Sequence, residues 1–241
     1  LLDKARQKEL ERDHASVDSP DTSFETFGRA FIVESEGFSS KMYKDASGRS
    51  VGYGFNIKDS ETMAVLTKLG HTVEDLEKNG MTQKEADAAL PAMWIMKQQQ
   101  AVKILGTGVW SRLGDKQRTA MTSLAYNAPS LLGPKLRGAL DLFTYSKSQK
   151  TEDAARDVAD ALIRIDREIR WNSLPIAKMI REGNMNVIDG LMRRRNNEAD
   201  MAMGTFLNDE NGKSKYAIRA TDWRTKYADL IKKHRKVNKG K

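Results

Sequence analysis

Residues 34–57, ESEGFSSKMYKDASGRSVGYGFNI, change from a helical pattern to a strand pattern within a few positions. Gly37 is a typical residue to end a helix, because glycine readily adopts the left-handed conformation found there. Asp45 then begins a turn of the form Asp-x-x-Gly. Apolar residues follow at every second position, as in strands with one buried face: Val51, Tyr53, Phe55 and Ile57. The stretch therefore predicts a short β-hairpin directly after a helix.

Most of the remaining chain has the periodicity of helices. Before the hairpin, Phe24, Phe27 and Phe31 are spaced to share one helix face. After it, Thr82 and Glu85 form the capping-box pattern that opens a helix, and Pro91 is expected to kink or restart that helix. The pattern predicts helices near 60–69, 72–79, 82–105, 115–127, 135–143, 151–166, 174–182 and 186–203. One small sheet among many helices indicates an α+β, mainly α fold, with a small sheet-bearing lobe joined by a long helix to a helical lobe.

The two ends of the chain differ from its middle. We expect a charged helical segment at residues 1–22, the main domain at residues 23–204 and a C-terminal extension at residues 205–241. The extension combines an amphipathic helix with a basic tail. The inward-facing residues expected for that helix are Trp223, Tyr227, Leu230 and Ile231.

Composition limits the classes of function. The chain has 241 residues, no cysteine and a formal net charge of +8. The lack of cysteine excludes disulfides, thiol nucleophiles and cysteine-based zinc sites. No apolar run approaches the roughly 20 residues of a membrane span. The positive charge favours a polyanionic partner, and both nucleic acid and the anionic bacterial envelope fit that description.

Several conspicuous residues have a simple structural explanation. The histidines lack the spacing of metal ligands, and we expect each to lie on the surface: His14, His71 and His234. We therefore expect neither a metal nor another cofactor. Met93, Trp94, Met96 and Met121 are expected to pack in the core or between the lobes. The arginine run at residues 193–195 is expected to pair with acidic neighbours on a helix face.

Two carboxylates near the hairpin are candidates for acid–base chemistry. Glu36 lies in the last turn of its helix, where unpaired carbonyl groups disfavour an ionised carboxylate, so it is a candidate proton donor. Asp45 lies in a turn with free backbone donors, which favour its ionised form. Two carboxyl groups in such different environments are the usual acid and base of glycoside hydrolysis.

Spacing alone leaves other interpretations open. A glutamate at a helix end is usually solvated, and an aspartate is common in turns for conformational reasons. Periodicity does not distinguish Glu36 from Glu34 as the candidate acid.

Three stretches resemble the phage-type lysozymes, the muramidases of bacteriophages. The first combines EG at 36–37, YKDASG at 43–48 and SVGYG at 50–54, which is similar to the active-site signature of that family. The second and third are SLAYNAPSLLG at 123–133 and GLMRRRNNEADM at 190–201. The resemblance implies a lysozyme-like two-lobed fold, with a small antiparallel hairpin lobe and a helical lobe.

The resemblance also implies roles for particular residues. Glu36 corresponds to the general acid, while Asp45 and Ser50 correspond to the residues that hold the attacking water. Ser50 falls on a threonine position of the family if one residue is deleted after Gly48, and it keeps a hydroxyl group. The cleft-lining, substrate-binding pair corresponds to Tyr126 and Asn127.

The sequence departs from the family pattern at three places. The loop after Gly48 is one residue short, and Phe55 stands where many relatives carry histidine. Ala128 and Pro129 replace the glycine that follows the aromatic–asparagine pair. These changes concern the shape of the cleft and the position of the water more than the fold.

The implied function is hydrolysis of the β-1,4 bond between N-acetylmuramic acid and N-acetylglucosamine in peptidoglycan, that is, bacterial cell-wall degradation by a phage enzyme. Two alternatives remain open: a virion structural protein with an inactive lysozyme fold, and a lytic transglycosylase, which needs only the glutamate. Retention of Asp45 and Ser50 favours hydrolysis over transglycosylation.

The expected partner is bacterial peptidoglycan. Because the chain has terminal segments beyond the lysozyme-like region, other phage virion or tail proteins are further expected partners. We do not expect nucleic-acid binding, because no recognised motif accompanies the positive charge. No signal peptide pattern precedes the first helix, so the expected location is the virion or the host cytoplasm, with action on the cell wall.

Overall fold

The computed structural model describes residues 23–45, 48–149, 151–171, 176–183, 185–203, 227–229 and 231–232. The predicted segment 1–22 and most of the extension 205–241, including Trp223 and Leu230, lie outside these residues.

The described part of the chain is mainly helical. Its helices are α1 (Ser23–Glu36), α2 (Ser60–Lys68), α3 (Val73–Asn79), α4 (Gln83–Leu105), α5 (Thr107–Ser111), α6 (Asp115–Asn127), α7 (Pro134–Lys147), α8 (Glu152–Asp166), α9 (Ile176–Arg181) and α10 (Met185–Ala202). A 3₁₀ turn at Pro129–Leu132 follows α6, and a π-helical turn at Arg167–Trp171 extends α8. The helices predicted from periodicity are confirmed, whereas the short α5 was not predicted.

The sheet has three antiparallel strands in the order β1 (Ser39–Asp45), β2 (Gly48–Gly52) and β3 (Phe55–Asn56). In the β1–β2 hairpin, Asp45 pairs with Gly48 at the turn, as the Asp-x-x-Gly pattern predicted. The four alternating apolar residues are buried, but they do not form one strand: they belong to β2, to the turn after it, to β3 and to the residue that follows β3.

Two hydrophobic clusters form the two lobes. One joins the sheet to α1, α2, α3 and the first half of α4, and Trp94 is fully buried in it. The other joins the end of α4 to α6, α7 and α8, and Leu105 is fully buried in it. The capping box of Thr82 and Glu85 starts α4, which contributes to both cores. The helix continues through Pro91, so the expected restart at that residue is wrong. The predicted two-lobed α+β fold with a long connecting helix is therefore confirmed.

Burial departs from the sequence pattern at two places. Phe27 is 39% exposed, while Phe24 and Phe31 are buried. The contact face of α1 instead includes Gly28, where an added Cβ would lie 2.2 Å from Cζ2 of Trp94. His71 was expected on the surface but is only 7% exposed, and its Nδ1 lies 3.8 Å from Oδ2 of Asp75.

The core packing of Met93, Trp94 and Met121 is confirmed, and Met96 is partly buried against the sheet-lobe cluster. A third small cluster is formed by α9 and α10 with two partly buried residues of the C-terminal extension, Tyr227 and Ile231. The prediction that these two side chains face inward is therefore confirmed, although the helix that carries them is described only in part.

Candidate active site

Glu36 is the last residue of α1, and its side chain is 16% exposed. It lines a cavity of about 320 Å³ between the sheet and helices α4 and α6. Tyr43 of β1 and Tyr126 and Asn127 of α6 line the same cavity. The fold thus brings three of the predicted site residues together from two distant segments of the chain.

Arg194 of α10 is the direct partner of Glu36. Its Nη1 donates a hydrogen bond to Oε1 of Glu36, and the guanidinium is 5% exposed. The prediction that this arginine run pairs with acidic neighbours is confirmed for Arg194 and Arg195, but both are buried inside the molecule rather than on an outer helix face.

Glu198, one turn further along α10, joins these arginines into a buried network. Its Oε1 accepts from Nε of Arg194 at 3.0 Å and from the hydroxyl of Ser123 at 2.5 Å. Its Oε2 accepts from Nη1 of Arg195, whose Nη2 donates to Oδ1 of Asn127. Glu198 thus connects both arginines to α6 next to the cavity.

The pKa of Arg194 is raised above its ordinary value. Burial alone would lower it, but the carboxylates of Glu198 and Glu36 beside the guanidinium outweigh that effect. Arg194 is therefore a permanent positive charge. It holds Glu36 through Oε1, and the other carboxyl oxygen, Oε2, lies close to the backbone of Gly54.

Gly54 leaves room for that second oxygen. Its φ of +79° is unfavourable for any side chain, and an added Cβ would lie 3.3 Å from Oε2 of Glu36 and 3.8 Å from Oη of Tyr43. The absence of a side chain at Gly54 keeps the cavity open in front of the carboxyl group.

Tyr126 ties α6 to the sheet lobe. Its hydroxyl donates to the backbone carbonyl of Tyr53 at 2.6 Å. Burial, followed by the nearby charge of Glu36, raises the pKa of Tyr126 well above its ordinary value, so the phenol stays protonated and keeps donating this bond.

Ser50 and Asp45 lie in the hairpin next to the cavity. Ser50 is fully buried, and its pairing partners across the sheet are Tyr43 and Asn56, which both line the cavity. Directly paired residues point to the same face of a sheet, so Ser50 shares a face with these two residues, but Ser50 itself does not line the cavity. The backbone of Asp45 ends β1 opposite Gly48, and its side chain lies outside the described part of the structure.

Sequence reasoning missed the wall of the cavity opposite Glu36. Asp59 caps α2 through the N–H of Glu61, and its Oδ2 accepts from Nζ of Lys97 at 3.1 Å and from Thr62 at 3.0 Å. Burial raises the pKa of Asp59, but Lys97 more than offsets this and the net shift is downward. One face of α4 lines the cavity with Met93, Lys97 and Gln100. Their spacing at i, i+4 and i+7 is the sequence pattern from which this shared face could have been predicted.

Among the described residues, no group of three or more histidine, cysteine or acidic side chains is arranged to hold a metal ion. No described helix combines the length and apolar character required to span a membrane.

A part-buried carboxylate in a cleft between a small sheet lobe and a helical lobe defines a lysozyme-like protein. The phage lysozyme family model matches residues 33–198, and the chain belongs to that family. No curated protein and no solved structure gives a significant match to the chain. The matched segment includes every predicted site residue and Arg194. Membership of the family indicates a glycosidase that acts on peptidoglycan.

Proposed function

We propose that this protein hydrolyses the β-1,4 bond between N-acetylmuramic acid and N-acetylglucosamine, with Glu36 as the general acid. The observation that carries the proposal is the position of Glu36, which is 16% exposed at a cavity between the two lobes and is fixed there by the buried Arg194. A general acid must present its proton in a defined direction to the leaving oxygen.

The two carboxyl oxygens of Glu36 have different surroundings, which suits that role. Oε1 is held by Arg194, while Oε2 lies against Gly54 at the cavity. A proton on Oε2 would face a glycosidic oxygen bound in the cavity.

Asp45 and Ser50 are proposed to hold the water that attacks the other face of the sugar. An inverting mechanism requires the two carboxyl groups to be about 6.5–9.5 Å apart, so that a water fits between them. The pairing of Ser50 with Tyr43 and Asn56 supports this assignment, because both partners line the cavity. Tyr126 and Asn127 are proposed to contact the bound glycan from the helical lobe.

Digestion of purified peptidoglycan with mass analysis of the products tests this function. Reducing N-acetylmuramic acid ends are expected for hydrolysis. Anhydro ends would instead identify a lytic transglycosylase, and the absence of released products would support a structural protein with an inactive fold. Glu36→Gln is the matched control: it cannot donate the proton, so it should lose nearly all activity. The amide oxygen can still accept from Arg194, so circular dichroism should show the same fold, although loss of the ion pair should lower the free energy of unfolding.

We further propose that the protein belongs to a phage and works either from the virion or from the host cytoplasm. Proteomic analysis of purified particles distinguishes the two, since a virion component must co-purify with the other structural proteins in constant ratio.

A further inference from the structure

The α4 wall of the cavity at Glu36 carries a group of polar side chains to which the proposed reaction gives no role. Lys97 is only 12% exposed, and its Nζ donates to Oδ2 of Asp59 at 3.1 Å. The same Nζ lies 3.4 Å from Oε1 of Gln100, about one turn further along α4. All three residues line the cavity. Two neighbours thus hold the ammonium group of Lys97 on the cavity wall.

This wall offers a ligand donors rather than acceptors. Both oxygens of Asp59 are already used as acceptors. Oδ1 accepts from the backbone N–H of Glu61, and Oδ2 accepts from Thr62 as well as from Lys97. An ammonium group has three N–H bonds, and the contacts of Lys97 with Asp59 and Gln100 account for two of them. The oxygen of Gln100 faces Lys97, so the third N–H of Lys97 and the NH2 group of Gln100 are the groups that can donate to a ligand.

Apolar side chains line the cavity next to these donors. Met93 precedes Lys97 by one turn of α4 and lines the same cavity. Phe55 of β3 and Ala125 of α6 line it as well, and all three apolar side chains are buried. The charge of Lys97 is balanced by Asp59, so this wall does not select for an anion. A ligand here therefore meets hydrogen-bond donors beside an apolar surface.

We infer that Lys97 and Gln100 bind the acetamido group of a sugar in the cavity and make the protein selective for N-acetylated glycan strands. The inference rests on the proposed function, in which both sugars of the substrate carry such a group. An acetamido group combines a carbonyl acceptor with a methyl group, so it matches donors that lie beside an apolar surface. A carboxylate fits less well, because Asp59 and Glu36 already place two carboxyl groups at the cavity.

The test measures the binding of two fluorescent synthetic tetrasaccharides by anisotropy. Both have the alternating sugars of peptidoglycan with the same peptide stem, but one carries acetamido groups and the other carries a hydroxyl group at each of those positions. The two ligands therefore have the same charge, and the hydroxyl oxygen is too close to the ring to replace the carbonyl oxygen. Every protein carries Glu36→Gln, which prevents turnover. The Glu36→Gln protein should bind the acetamido ligand more tightly than the hydroxyl ligand.

Lys97→Met should weaken binding of the acetamido ligand by roughly 2- to 13-fold, the range of one hydrogen bond, and leave binding of the hydroxyl ligand unchanged. Gln100→Met, which keeps the ion pair, should act in the same direction. Lys97→Met leaves Asp59 without its ion-pair partner, so the double variant Asp59→Asn/Lys97→Met, which removes both charges, should show the same loss. Asp59→Asn alone keeps the ammonium group and should keep the preference. Lys103→Met removes an exposed lysine of α4 that does not line the cavity, and it is the control for net charge.

The contrast between the two ligands decides the outcome. Equal losses on both ligands would overturn the inference, because Lys97 would then contact a part of the glycan that both share or act only through the fold. An unchanged preference in the double variant would overturn it as well, and so would an equal loss in Lys103→Met. Binding of both ligands without preference by the Glu36→Gln protein would overturn only this inference, whereas binding of neither ligand would contradict the proposed function too.

Discussion

Arg194 and Glu36 are separated by 158 positions in the chain, yet the guanidinium of Arg194 donates directly to Oε1 of Glu36. Arg194 also contacts Glu198 at 3.0 Å and the hydroxyl of Ser123 at 3.2 Å, so one side chain joins α10 to α6 and to the end of α1. The position of the proposed general acid is therefore set from the helical lobe, although Glu36 itself is next to the sheet.

Arg194→Ala should destabilise the protein strongly. The substitution leaves the fully buried Glu198 with only Arg195 as a charged partner, and breaking a buried ion pair costs on the order of 3–5 kcal/mol. Chemical denaturation measures the loss. The control is Arg193→Ala, because Arg193 is the exposed neighbour on the same helix and its removal should change the free energy of unfolding by less than about 0.5 kcal/mol. Equal effects of the two substitutions would contradict the role assigned to Arg194.

Ser50→Ala should lower kcat with little change in the stability of the fold. If the hydroxyl orients the attacking water, losing one hydrogen bond of about 0.5–1.5 kcal/mol corresponds to a decrease in kcat of roughly 2- to 13-fold. Ser50→Thr restores the hydroxyl and should restore turnover, but Ser50 is fully buried, so the added methyl group should reduce stability by about 1–3 kcal/mol. An alanine variant with normal kcat would show that Ser50 is only a strand residue.

Asp59→Asn should change how stability depends on pH. The pKa of Asp59 is lowered in the folded protein: burial opposes the shift, but the contact with Lys97 outweighs it. A lowered folded pKa contributes stability that is present above the unfolded value of about 3.9 and is lost as pH falls through the folded pKa. Asparagine can still cap α2 but cannot titrate. The variant should therefore be less stable than the unmodified protein at pH 7, and the difference should shrink below about pH 4. A constant difference in acid denaturation would rule out this linkage.

The sequence was sufficient to predict most elements but not the network beneath the cavity. Helical periodicity, the capping box at Thr82 and the Asp-x-x-Gly turn are local signals, and each produced the expected element. The pairing of Arg194 with Glu36 depends on how α10 packs on α6, which no local pattern encodes. The i, i+4 spacing of Arg194 and Glu198 indicated an ion pair on one helix, but it could not indicate that the pair is buried.

Burial at the edges of the lobes could not be predicted from the sequence either. Three phenylalanines at helical spacing indicated one apolar face on α1, whereas Gly28 lies against Trp94 and Phe27 is 39% exposed. A glycine inside a helix usually lowers the stability of that helix. That Gly28 provides a contact surface can be recognised only when the neighbouring helix is known.

That contact yields a prediction in which the same substitution has opposite effects at two sites. Gly28→Ala should destabilise the protein, because the new methyl group would lie 2.2 Å from a ring carbon of Trp94, far inside contact distance. Trp94 is fully buried and cannot move aside without disturbing the sheet-lobe core, so the expected cost is about 1–3 kcal/mol. Thermal or chemical unfolding measures the change.

The matched control is Gly138→Ala in α7. Gly138 is also inside a helix, but an added Cβ there has no other atom within 4 Å. Because alanine has a higher helix propensity than glycine and meets no clash here, the substitution should stabilise the protein by roughly 0.5–1 kcal/mol. If both alanine variants were stabilised, α1 and α4 would have to be further apart than the structure shows. If both were destabilised, crowding against Trp94 would not be the cause. Opposite signs are expected because helix propensity acts at both sites, whereas a steric clash acts at only one.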